Sequence, residues 1–141
     1  MSTRESTFHQ WVKKAANDLR SAEVLLGLDN PLAENACTLC QQAAEKYLKA
    51  ALFILGIDFK RSHSMGYLLG LLEQRFVIPV ELFDLADFLT PFAVALRYPG
   101  DLEVDEGDGR EALLAATTIR DFVFTVIDAQ YFDEGNDSHR L

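Results

Sequence analysis

The segment from Pro31 to Leu55 limits the fold of this chain more than any other feature of its sequence. It contains no glycine and no second proline, and apolar residues fall on most of the circumference of the helix it would form, which indicates packing on several sides. Asn30 offers an N-cap before a proline at the first helical position. Gly56 suits a left-handed helix end. We therefore predict a central helix from Pro31 to Leu55.

Four other segments repeat apolar residues at the helical spacing of three and four positions. The first runs from Ser6 to Leu26, and the second follows a cap at Ser62 or Ser64. A third begins at Pro79 and continues to Leu96, with Pro91 expected to kink it or restart it behind Thr90. The last covers residues 112–127, after an acidic stretch, residues 101–109, that we predict to be a loop.

The fold predicted from these segments is an all-α, up-and-down bundle of four to five helices. No segment alternates with period two for long enough to indicate a strand. With 141 residues the chain is long enough for one domain with a sizeable core. We place that domain at residues 1–131 and a flexible tail at 132–141.

Charge and hydropathy restrict the classes of function. The 22 acidic residues outnumber the 13 Lys and Arg, which gives a net charge of -9. This balance argues against broad, sequence-independent binding to nucleic acid, so contact with phosphate would need a local basic cluster. The sequence has neither the apolar run of a signal peptide nor a membrane-spanning segment. We expect a cytoplasmic protein with no membrane association.

The two cysteines, Cys37 and Cys40, have the spacing of a CxxC motif. A structural zinc site needs four ligands, and a thioredoxin-like motif needs a preceding strand. We interpret both as reduced thiols packed in the core. The acidic loop lacks the glycine and the glutamate of a calcium loop at its sixth and twelfth positions. We therefore predict neither a metal nor a cofactor.

A narrow polar stripe on the central helix is the first candidate site. Its members are Gln42, Glu45, Lys46 and Lys49. Glu45 and Lys49 have the favourable i to i+4 orientation for an ion pair. The stripe is either a solvated helix edge or the lining of a groove at an interface or ligand site.

A second candidate site is the motif Arg97-Tyr98-Pro99-Gly100-Asp101. Arg97 in the last turn of a helix is favoured by the helix dipole, and this alone would account for it. If the second and fourth helices pack antiparallel, however, Arg97 joins the basic residues of the stripe and of the 56–64 connection. A cluster of this kind suits phosphate. Its members would be Lys46, Lys49, Lys60, Arg61, His63 and Arg97.

Four motifs together resemble the HEPN domain (higher eukaryotes and prokaryotes nucleotide-binding). They are WVKKAANDLRSA at 11–22, QAAEKYLKAAL at 42–52, GIDFKRSHS at 56–64 and RYPGD at 97–101. The resemblance covers roughly residues 8–128. It implies a helical bundle that commonly forms homodimers, and often a separate partner protein, a minimal nucleotidyltransferase, in prokaryotic two-component modules that include toxin–antitoxin pairs.

Many HEPN proteins are also metal-independent ribonucleases that carry an R-x4-6-H motif. In this chain the arginine corresponds to Arg97, and the histidine should lie at 102–104. Those positions are Leu102, Glu103 and Val104. Because histidine is suited to proton transfer near neutral pH, the resemblance implies a non-nuclease variant, and we predict no catalytic residue.

The function predicted from the sequence is therefore binding of a nucleotide, an RNA or another phosphate-bearing partner. Tyr98 would offer a stacking face, while Glu45 and Gln42 would support the lysines. Two alternatives stay open. The first is a metal-independent ribonuclease toxin that uses Arg97 with His63 or Glu103. The second is a dimeric interaction domain that binds no ligand.

Overall fold

The computed structural model describes residues 2–96, 98–100 and 102–128, and within these ranges it contains helices and no strand. This confirms the all-α prediction. A short 3-10 helix, Thr90–Ala93, follows the fourth α-helix. The α-helices are α1 Thr3–Leu26, α2 Ala33–Ile54, α3 Met65–Leu72, α4 Val80–Leu89 and α5 Glu106–Ile127.

Helix α2 occupies the centre of the bundle. It packs most extensively against α1 and α5, and also against α3 and the 3-10 helix. Side chains on several of its faces are buried, among them Tyr47, Leu48 and Leu52. The Tyr47 ring meets Phe124 of α5 edge to face, with ring centroids 5.8 Å apart. The broad apolar circumference of the segment thus corresponds to packing on several sides. None of the helices in the described ranges has the length and apolar character needed to cross a bilayer.

The start of α2 differs from the sequence prediction. Asn30 does not cap the helix, because the N-cap residue is Leu32 and it makes no side-chain cap hydrogen bond. The backbone N–H of Leu32 instead donates to the carbonyl of Leu25 at 3.2 Å. This contact folds residues 27–32 back on the end of α1, so Pro31 belongs to the turn.

The end of α2 follows the prediction. Gly56 has a φ of 72°, the left-handed conformation that glycine adopts without strain. Its N–H donates to Phe53, and the next N–H, that of Ile57, donates to Leu52. These two bonds form a Schellman motif. They send the chain sharply away from α2 into the connection that leads to α3.

Helix α4 is shorter than predicted, while the break lies where the proline suggested. The α-helix ends at Leu89, and Pro91 lies in the 3-10 helix that begins at Thr90. The Thr90 hydroxyl donates to the Ala86 carbonyl at 2.8 Å and accepts from the Met65 N–H at 3.3 Å. Thr90 therefore satisfies a free N–H at the start of α3.

The predicted acidic loop is wrong in its second half, because α5 already begins at Glu106. Asp105 and Asp108 form a reciprocal capping box, with bonds of 2.9 and 3.0 Å. Gly109 is buried within the helix, and a Cβ atom at this position would lie 2.7 Å from Leu26 Cδ2. The last glycine of the predicted loop thus lies where α5 approaches Leu26 of α1 closely.

Helix α5 also completes the end of α1. The Arg110 guanidinium donates to the Leu26 carbonyl at 3.3 Å, and α1 has no basic residue in its own last turn. A cation at a helix C-terminus is favourable for the helix dipole. The predicted tail at 132–141 lies outside the described residues, and the boundary at residue 131 stays a prediction.

Candidate functional site

The carboxylate of Glu45 in α2 is the centre of a four-residue hydrogen-bond network. Its Oε1 accepts from Gln41 Nε2 at 2.8 Å and lies 2.9 Å from His63 Nδ1. Its Oε2 accepts from Lys49 Nζ at 2.9 Å. Gln41, Glu45 and Lys49 are four residues apart along α2 and so share one face. We call these four residues, including His63, the Glu45 network.

The Glu45 network links three buried or nearly buried side chains of α2 to one exposed side chain, that of His63. Gln41 and Lys49 are 1% and 9% exposed as residues, and the Glu45 side chain is 13% exposed. The side chain of His63, by contrast, is 63% exposed. A buried lysine is costly unless a negative group compensates it. Glu45 supplies that compensation and uses its remaining acceptor capacity to hold the imidazole.

The ionisation of Glu45 follows from these contacts. Burial is the largest influence and by itself would raise its pKa, but the hydrogen bonds from Lys49, His63 and Gln41 outweigh it and leave the pKa below its ordinary value of 4.5. Glu45 is therefore a carboxylate at neutral pH, and a carboxylate can only accept hydrogen bonds. It follows that His63 Nδ1 carries the hydrogen in this contact. The other ring nitrogen, Nε2, takes no part in the contact with Glu45.

His63 belongs to a short basic segment that we call the basic loop, residues 60–63. Lys60 and Arg61 have exposed side chains. The Lys60 backbone N–H donates to the Tyr67 hydroxyl at 2.9 Å, and the Glu45 contact fixes the other end of the loop. Ser64 then caps α3 by accepting from the Tyr67 N–H at 3.3 Å, one of the two caps that the sequence offered.

The structure divides the predicted polar stripe. Lys46 forms an ion pair with Asp18 of α1, so it faces α1 and takes no part in the Glu45 network. Gln42 is exposed, and the glutamine in contact with Glu45 is Gln41, which the sequence prediction missed. The repeated spacing of four from Gln41 through Glu45 to Lys49 was the signal that would have identified it.

The second predicted motif is described in part. Arg97 and Asp101 lie outside the described residues, so the place of Arg97 in the cluster stays a prediction. Tyr98 is 71% exposed and follows the 3-10 helix in the chain. The structure thus brings Glu45, Lys49 and His63 together, with Lys60 and Arg61 beside His63 in the same loop.

Both cysteines are free and buried, as interpreted from the sequence. Burial is the main influence that raises the pKa of Cys37 to about 11 and that of Cys40 to about 12. Both are therefore thiols at neutral pH and poor nucleophiles. Within the described residues, no group of three or more His, Cys, Asp or Glu side chains is arranged to hold a metal ion.

Comparison with known proteins assigns the bundle to a class and then to a family. An all-α bundle of this topology is shared by three solved structures. One is a protein from Thermus thermophilus, 30% identical, with a TM-score of 0.74 over 84% of this chain and 96% of that one. The second is an archaeal HEPN homologue, 31% identical, with a TM-score of 0.69 over 85% and 97%. The third is a HEPN domain protein from Thermotoga maritima, 28% identical, with a TM-score of 0.71 over 85% and 98%.

The family model of the HEPN domain matches residues 8–128. The chain therefore belongs to the HEPN domain family, as its motifs suggested. Among functionally curated proteins, none matches this sequence.

Proposed function

We propose that this HEPN domain binds a phosphate-bearing ligand, a nucleotide or an RNA, through the basic loop. The observation that carries the proposal is the hydrogen bond that fixes His63 against the buried Glu45 carboxylate. It orders a segment with two exposed cations, Lys60 and Arg61, in a chain whose net charge is -9. A preorganised group of cationic donors is suited to phosphate oxygens.

The lysines of α2 have a different place in this proposal. Lys49 and Lys46 are each paired with a carboxylate of the same chain. A phosphate would have to compete with these carboxylates, so we assign the first contacts to the basic loop. Arg97 and Tyr98 are included in the proposed site because the sequence motif suggests them, and Gln42 is exposed on the neighbouring helix face.

We further propose that the domain acts as a homodimer in the cytoplasm together with a minimal nucleotidyltransferase, in a two-component module of the toxin–antitoxin type. This part of the proposal rests on membership of the HEPN family and on what the resemblance implies. Its test is copurification with the product of a neighbouring nucleotidyltransferase gene, followed by determination of the mass of the complex. A domain that elutes as a monomer, and without such a partner, contradicts it.

The binding proposal is tested by titrating the protein with ATP and with a short RNA in EDTA. The key variant is Lys60→Ala/Arg61→Ala, and the matched control is Lys13→Ala/Lys14→Ala, which removes two exposed cations from α1. We expect the loop variant to weaken binding at least about tenfold, since charge-assisted hydrogen bonds contribute roughly 1.5–3 kcal/mol each. The control should change the affinity by less than about twofold.

Equal losses in the two variants would show that only net charge matters, and the basic loop would then not be the site. Absence of binding to both ligands would refute the proposal as a whole.

One observation favours a second candidate function, a metal-independent ribonuclease. A histidine held through Nδ1 by a carboxylate, with its ring exposed, has the arrangement of a general base. His63 and Glu45 have this arrangement, and Arg97 would stabilise the charged phosphate. The test is incubation with mixed RNA in EDTA: cleavage that Arg97→Ala and His63→Ala both abolish would establish this function in place of simple binding.

A further inference from the structure

The Glu45 network fixes which nitrogen of His63 is available to a ligand. Because the ionised carboxylate only accepts hydrogen bonds, the neutral imidazole must place its hydrogen on Nδ1. Nε2 then presents a lone pair. The ring is 63% exposed and lies two residues after Arg61 in the basic loop. We therefore count Nε2 as part of the surface that would contact a phosphate.

We propose that Glu45 makes His63 a proton-dependent contact, so that phosphate binding at the basic loop is coupled to protonation of this imidazole. The inference rests on the proposed function of the loop. In the neutral ring, the Nε2 lone pair repels a phosphate oxygen. In the protonated ring, Nε2 carries a hydrogen and becomes a charged donor to the same oxygen.

Glu45 is a positioning residue in this scheme because it excludes one of the two tautomers of neutral His63. A histidine without such a partner can move its hydrogen to Nε2 and donate to phosphate while neutral. That tautomer leaves a lone pair on Nδ1, directed at the carboxylate 2.9 Å away, and the two would repel. With Glu45 in place, His63 donates to a ligand only after it has taken up a proton.

Charged groups of both signs lie near His63. From α2, Glu45 contacts the ring at Nδ1, and Lys49 is paired with the same carboxylate. Lys60 and Arg61 are the cations of the same loop. From α4, Asp87 lies near the first turn of α3, with its Oδ1 3.6 Å from the position of a Cβ on Gly66. A phosphate bound at the loop adds negative charge beside the ring, which favours the protonated imidazole.

The test is the NMR titration of the histidine ring protons between pH 5 and 8.5, with and without saturating ATP. The signals of His63 are assigned by their loss in His63→Gln. We expect ATP to raise the titration midpoint of His63 by about one pH unit, which corresponds to a roughly tenfold preference for the protonated ring. His9, exposed on α1, is the internal control, and its midpoint should not move.

The positioning role of Glu45 is tested in Glu45→Gln/Lys49→Gln, which removes both charges of the buried pair and so avoids leaving Lys49 uncompensated. The amide of a glutamine can accept from Nδ1 or donate to it, so both tautomers of His63 become available. We expect the ATP-induced rise in the midpoint to fall to less than half of its wild-type value. Circular dichroism checks that the variant is folded.

The outcomes separate this inference from the function beneath it. If ATP perturbs the signals of the basic loop but leaves the His63 midpoint unchanged, the loop binds phosphate and the proton coupling is wrong. An equal rise in the wild type and the double variant removes the role of Glu45. If neither ATP nor the short RNA perturbs a signal of the loop, the proposed function and this inference fail together.

Discussion

Replacing Glu45 by alanine removes the only carboxylate in the Glu45 network and leaves the buried Lys49 without its partner. Loss of one member of a buried ion pair typically costs 3–5 kcal/mol. The Lys49 stem can carry its ammonium part of the way to solvent, which lowers the cost, but Gln41 also loses its acceptor. We expect a loss of about 3 kcal/mol, or roughly 10 °C in Tm for a chain of this size.

The assay is urea unfolding followed by circular dichroism at pH 7. The matched control is Glu106→Ala, which removes an i to i+4 pair with Arg110 on α5 in which both side chains are more than half exposed. Such exposed helix pairs contribute about 0.3–0.5 kcal/mol, so the two alanine variants should differ by more than 2 kcal/mol. Equal losses in the two variants would refute the argument that burial makes Glu45 costly to remove.

The loss should also depend on pH in a defined direction. The pKa of Glu45 is lower in the folded protein than its ordinary value of 4.5, so its ionisation stabilises the fold above that pH, and this contribution is lost as the pH falls through the folded-state value. The difference in unfolding free energy between wild type and Glu45→Ala should therefore shrink in acid. A difference that stays constant down to pH 2.5 would contradict the role of the charged carboxylate.

Two further predictions concern the core. Gly109→Ala should lower the unfolding free energy by about 1–2 kcal/mol, because the new methyl group overlaps the buried Leu26. Gly70→Ala should raise it by about 0.5 kcal/mol, because nothing lies within 4 Å of the new methyl group and alanine favours a helix. Urea unfolding of both variants checks that the two changes have opposite signs. Cys37 and Cys40 should react with a thiol reagent at pH 8 about 100-fold more slowly in the folded protein than in urea. Equal reaction rates would show that the thiols are accessible. Their raised pKa values also stabilise the fold below pH 9.0, and this contribution is lost as the pH rises to about 11 and 12.

The local features of the fold were predictable because they depend on residues near one another in sequence. The left-handed turn at Gly56, the cap at Ser64 and the break at Pro91 each follow from the chemistry of one residue. Asn30 was misjudged because the Leu32 N–H bonds back to Leu25, seven positions earlier at the end of α1, which moved the start of α2. A contact with the preceding helix here overrode the cap preference of a single residue.

The candidate site was predictable only on the helix. The pairing of Glu45 with Lys49 follows from their spacing of four residues. Gln41 precedes Glu45 by the same spacing and could have been identified in the same way. The contact between Glu45 and His63 spans 18 positions and a reversal of the chain, so no periodicity contains it. The start of α5 was missed for a related reason, since the close approach of Gly109 to Leu26 joins residues 83 positions apart.

The bond from Arg110 to the Leu26 carbonyl has a consequence for synthesis of the chain. The two residues are 84 positions apart, and a protein is made from its N-terminus at about 5–20 residues per second. Helices α1 and α2 can pair while the rest is still being translated, but the end of α1 receives its cation only after residue 110 has left the ribosome. The turn between the first two helices therefore lacks this hydrogen bond until most of the domain has been synthesised.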